Sequence, residues 1–133
     1  MRVVVDTNVL ISAAIRDRLP ERVILWIVGQ DDVEWVVSGE ILDEYAAVME
    51  RRKFALPPEI VDRWFELLAR ETVLVEVAGG VAFPRDRKDA RFIACANGAA
   101  ADYLITGDTD FAAAPGCRAR IVTVAQFAKL VGA

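Results

Sequence analysis

The chain has 133 residues, 55% hydrophobic and 27% charged, with a formal net charge of −4. That is the size and balance of one globular domain over residues 1–133, not of a disordered chain or a generic nucleic-acid binder. There is no histidine, which excludes Ser-His-Asp triads, Cys-His nucleophile pairs and imidazole-based zinc sites.

No apolar run reaches the roughly 18 to 20 residues that span a bilayer. The opening Met1-Arg2 leads into strand-like residues rather than a secretory leader, so a cytoplasmic location is expected. Residues Arg2 to Val5 are continuous and β-branched, as in a buried strand. "TNVLISAAI" reads as a short helix, and "PERVILWIVGQ" as a second with Pro20 in its first turn. "VEWVVS" is a strand, and Ser38 is placed to cap a helix over "GEILDEYAAVMERRKF". "LPPEIVDRWFELLARE" is helical and "TVLVEV" a strand. A loop with Gly79, Gly80 and Pro84 follows, then the helix "DRKDARFIACANGAA", which makes Cys95 an inert core thiol. "DYLIT" is a strand, "GDTDFAAA" a turn into a short helix, and "ARIVT" and "VAQFAKLV" a last strand and helix. Strands alternating with helices predict an α/β fold with a mainly parallel sheet, covered by helices on both faces. Ligands of such sheets sit at the carboxyl ends of the strands.

Asp6 stands at that end of the first strand, and Asp108 at the equivalent place after "DYLIT". At about 100° per residue, Glu44 borders the apolar stripe of Ile41, Leu42, Tyr45, Val48 and Met49, whereas Glu40, Asp43 and Glu50 point away. Asp89 shares a face with Phe92, Ile93 and Ala96, in the first turn of its helix. Burying an unpaired carboxylate there costs several kcal/mol, more than the roughly 0.3 to 1 kcal/mol that a helix dipole returns. Four acids brought to one edge repel one another and raise their pKa values. With the basic residues expected outside the cluster, a divalent ion is the natural neutraliser, and all-oxygen ligation favours Mg²⁺ or Mn²⁺, as one or two ions.

"VVVDTNVLISA", "SGEILDEYAAVMERRKF" and "DRKDARFIACANGAAADYLITGDTDF", in this order and spacing, resemble the PIN domain. The likeness is to small bacterial PIN proteins of the VapC type, toxin components of toxin–antitoxin pairs. The resemblance implies a three-layer α/β/α sandwich with a mainly parallel sheet of about five strands. It implies an Mg²⁺- or Mn²⁺-dependent endoribonuclease that cleaves RNA with metal-activated water, a homodimeric state and a cognate antitoxin. Asp6, Glu44, Asp89 and Asp108 match the family's acids, and Asp110 matches an additional one. Thr7 and Thr106 match polar positions that flank the acids, and Asn8 is expected to tie the opening loop together. Arg51, Arg52, Lys53, Arg85, Arg87, Lys88 and Arg91 are the candidates for a basic rim that draws in RNA.

The competing readings fare worse. A phosphotransferase of the haloacid-dehalogenase type wants a second Asp where Asn8 stands. A dinucleotide-binding module wants a Gly-x-Gly-x-x-Gly run that is absent. The strongest non-enzymatic alternative is a catalytically silent PIN-like scaffold that binds RNA or a partner protein, with Trp26, Trp35, Trp64 and Phe65 as candidates for an exposed surface.

Overall fold

A computed structural model describes residues 1–77, 87–107 and 116–133, with the side chains of 87–89 outside the description. The elements run β1 (Arg2–Val5), α1 (Thr7–Ala14), α2 (Arg18–Val28), β2 (Glu34–Val37), α3 (Gly39–Met49), α4 (Pro58–Glu71), β3 (Thr72–Leu74), α5 (Arg87–Gly98), β4 (Tyr103–Thr106), β5 (Arg120–Thr123) and α6 (Val124–Val131). The five strands form one sheet of order β3-β2-β1-β4-β5, and every pairing is parallel.

Val3, Val4 and Val5 are all fully buried. Successive strand residues face opposite sides, so helices cover the sheet above and below and the sandwich has three layers. α5 lies along β1, β2 and β4, while α2 packs against both α1 and α6. Trp26 of α2 meets Phe127 of α6 edge-on at 5.8 Å. Trp35 is buried in the core, and Trp64 and Phe65 pack half-buried against it. Cys95 is a buried free thiol, and burial pushes its pKa up to about 11, as an inert core cysteine requires.

Two elements end earlier than their sequence suggests. The helix expected over 39–54 stops at Met49, and a single 3-10 turn, Arg52–Phe54, follows. The buried residues of α3 end with Val48 and Met49, and Glu50 to Lys53 offer only charged, exposed side chains. Further helix would bury nothing, and burial supplies most of a helix's stability. Pro57 also holds Leu56 away from helical angles, and Ala55 turns the chain at φ +48°. The strand expected over 72–77 ends at Leu74. It lies at the edge of the sheet with Val73 and Leu74 exposed, although the Val75 N–H still reaches the Val37 carbonyl at 2.8 Å. The short helix expected from "GDTDFAAA" lies outside the described residues.

The Ser38 cap forms as the sequence implies, and α6 carries a further one. Thr123 and Gln126 form a reciprocal capping box at the start of α6, and the Ser38 hydroxyl accepts the Ile41 N–H at 3.2 Å at the start of α3. Ser38→Ala removes that acceptor and lowers stability by about 1 kcal/mol. The change is read as a lower urea midpoint at unchanged slope.

Candidate functional site

The register of β1 against β4 pairs Val5 with Ile105. The Asp6 N–H continues that ladder to the Ile105 carbonyl at 2.9 Å. Asp6 therefore sits where β1 leads toward β2 on one side and β4 leads toward β5 on the other, at the sheet's topological switch point.

Asp6 also occupies the N-cap position of α1, yet its side chain closes no capping hydrogen bond. One carboxylate oxygen instead accepts from the Thr106 hydroxyl at 2.9 Å. Asp6 as a whole is 5% exposed. Burial raises its pKa above the ordinary 3.8. The Thr106 hydroxyl opposes that rise, the charge of Glu44 adds to it, and the N–H groups of Thr7 and Asn8 oppose it weakly.

Glu44 stands on the border of the apolar stripe of α3, as its spacing predicts, with its side chain 21% exposed. Both of its oxygens are engaged. Oε2 accepts from the Thr7 hydroxyl, and Oε1 lies 3.3 Å from Nη1 of Arg91. Beside Glu44 on the helix, Tyr45 is fully buried and donates its hydroxyl to the Val5 carbonyl. That bond ties α3 to the end of β1, one residue before Asp6.

The structure thus brings Asp6, Thr7, Glu44 and Thr106 together at one edge. Asp89 is the third residue of α5, with its side chain outside the description, and Asp108 and Asp110 lie outside the described residues. Gly107, the residue before Asp108, ends the described segment after β4. No group of three His, Cys, Asp or Glu side chains converges among the described residues. Asn8 is exposed and, with Ser12, Asp17 and Gly107, lines an open groove of about 510 Å³ beside this edge. Arg51, Arg52 and Lys53 are exposed between α3 and α4, and Lys53 lies over the Phe54 ring at 5.0 Å. Arg85 and the side chains of Arg87 and Lys88 lie outside the description.

Arg91 departs from the expected arrangement. The charge run groups it with a basic rim outside the acids, but its guanidinium pairs with Glu44. A divalent ion is therefore not the sole source of positive charge at this edge. The signal for this placement lies in helical spacing: Arg91 is four residues before the buried Cys95, which puts it on the border of the buried stripe of α5. The Tyr45 contact carries no comparable signal, because periodicity marks Tyr45 as core and says nothing about where its hydroxyl ends.

The raised pKa of Asp6 has a defined consequence for stability. The folded chain holds this proton more tightly than the unfolded chain. That contribution is complete below 3.8 and is lost as pH climbs through the raised folded value. In metal-free protein, Asp6→Asn is therefore more resistant to urea than the parent at about pH 7, and the difference closes on acidification below the ordinary carboxylate value. Paired urea titrations across that range check this, and an Asn variant weaker at neutral pH would make the carboxylate a structural group.

A family model described as the PIN domain matches residues 2–110. Among solved structures, the chain is similar in fold to the crystal structure of VapBC2 from Rickettsia felis bound to a DNA fragment from their promoter. The TM-score is 0.62 at 13% sequence identity, over 92% of this chain and 98% of that one. No curated protein matches the sequence significantly.

Proposed function

This chain belongs to the PIN-domain family, and on that premise we propose that it is a metal-dependent endoribonuclease, the toxin of a toxin–antitoxin pair. PIN domains are generally nucleases. The observation that carries the reading for this chain is the buried Asp6 carboxylate at the switch point of the sheet, with a second carboxylate, Glu44, held beside it.

The donor set fits Mg²⁺ or Mn²⁺. The ligands on offer are oxygens, the chain has no imidazole, and Asp6 has no cationic partner among the described residues. Hard cations of this kind take carboxylate oxygens. Asp6, Glu44, Asp89 and Asp108 would hold the ion, with Asp110 as a further ligand. When bound, it supplies the charge that activates a water and steadies the oxygen leaving phosphorus.

The remaining work falls to the chain's own side chains. Thr106 orients Asp6 through its hydroxyl, and Thr7 orients Glu44. The attacking group is water, so no side chain is consumed as a nucleophile. Arg51, Arg52 and Lys53 are exposed and free to meet the RNA backbone, and Arg85, Arg87 and Lys88 extend the same basic set. Asn8 faces the groove beside the acids, where a nucleotide next to the cut bond would lie.

The fold likeness to VapBC2 supports a cognate antitoxin as partner. A homodimer and a cytoplasmic location complete the proposal. No helix among the described residues is long and apolar enough to cross a membrane.

The decisive experiment is cleavage of labelled RNA by purified protein after chelation, with Mg²⁺ or Mn²⁺ added back. Activity returns with the ion, and Asp6→Asn, Asp89→Asn and Asp108→Asn each reduce it by roughly 100-fold or more while circular dichroism stays unchanged. Tight RNA binding without cutting under either ion would instead make the protein a silent scaffold.

A further inference from the structure

Building on the nuclease reading, we propose that Arg91 is a positioning residue: it fixes Glu44 and acts as a built-in countercharge that weakens divalent-ion binding while promoting cleavage. Arg91 reaches from α5 to α3 and sets Nη1 3.3 Å from Oε1 of Glu44. The Thr7 hydroxyl holds the other oxygen. Glu44 is therefore gripped from two elements at once, and its carboxylate has a fixed orientation toward the Asp6 edge.

Nε of Arg91 is buried and, among the described residues, has no hydrogen-bond partner. A stranded buried donor costs free energy. A basic residue serving only as an RNA contact would leave its donors in water. Here the side chain gives up one donor so that another meets Glu44, and the contact with Glu44 is what that arrangement achieves. Lysine cannot reproduce it, because it offers a point charge without the planar fork.

The electrostatic consequence follows directly. Asp6 and Glu44 together attract a divalent cation, and the adjacent guanidinium cancels part of that attraction. Removing the charge strengthens ion binding and, at the same time, frees Glu44 from its fixed position. Ion affinity and cleavage rate then move in opposite directions. A residue that only supports packing lowers both, and a residue that only contacts RNA changes RNA affinity and leaves ion affinity alone.

The test uses the full chain with Arg91→Met, which keeps the apolar stem, and Arg91→Lys, which keeps the charge. Mn²⁺ binding is measured calorimetrically, RNA binding without metal, and cleavage under single-turnover conditions. Arg91→Met binds Mn²⁺ roughly three- to tenfold more tightly and cuts about tenfold more slowly. Its metal-free RNA affinity stays within about twofold. Arg91→Lys restores parental Mn²⁺ affinity. In a Glu44→Gln background, Arg91→Met adds little further loss of rate, as expected for one residue acting through the other. Mn²⁺ binding by Arg91→Met that is unchanged or weaker, in a parent that does bind Mn²⁺, overturns this inference and leaves the nuclease reading standing. So does a clear loss of metal-free RNA affinity. A parent that binds no Mn²⁺ overturns both.

Discussion

A carboxylate held nearly out of water at the seam between two neighbouring parallel strands is the constraint around which this molecule is organised. A charged group in that position is unfavourable unless donors or a cation meet it. Among the described residues it meets one hydroxyl, from Thr106 on the adjacent strand, and two weakly placed N–H groups from the start of α1. That is enough to orient Asp6 and too little to neutralise it. The surrounding architecture keeps the residue there regardless. β1 is the central strand, it is sealed by valines on both faces, and a buried tyrosine on α3 binds the carbonyl next to Asp6.

The two described carboxylates at this edge are treated differently. Glu44 is partly exposed and carries its own arginine and threonine. Asp6 is buried and has no cation among the described residues. One acid is thus satisfied in the protein alone, and the other is left with unspent charge. The asymmetry separates the roles they can take with a bound ion: Asp6 is the group with most to gain from it, and Glu44 is already oriented before it arrives.

Much of the fold could be read from pattern. The continuous β-branched run of β1, the Ser38 cap and the border position of Glu44 follow from periodicity and local hydrogen-bonding chemistry. Those signals are dictated within one turn or one strand. What escaped depends on partners distant in sequence. α3 ends where its buried face runs out, which is a matter of what it packs against. β3 is short because it lies at an edge with little to cover it. Arg91 belongs to a basic run in the sequence, and only the approach of α5 to α3 reveals that it faces an acid. The opening Asp-Thr-Asn shows the same division. Its turn-forming character is legible, and it does start a helix, but the Asp6 side chain turns away from the cap to meet a threonine 100 positions later.

The pairing of Val5 with Ile105 has a consequence for how this protein tolerates change in length. Side chains along a strand alternate between faces, so a slip of one position swaps every one of them. Lengthening a surface connection costs only loop entropy, which grows slowly. One residue inserted within β1 or β4 would rotate either Asp6 or Thr106 to the opposite side of the sheet and break their contact. Size variation among related chains should therefore collect in the connections and spare these two four-residue segments.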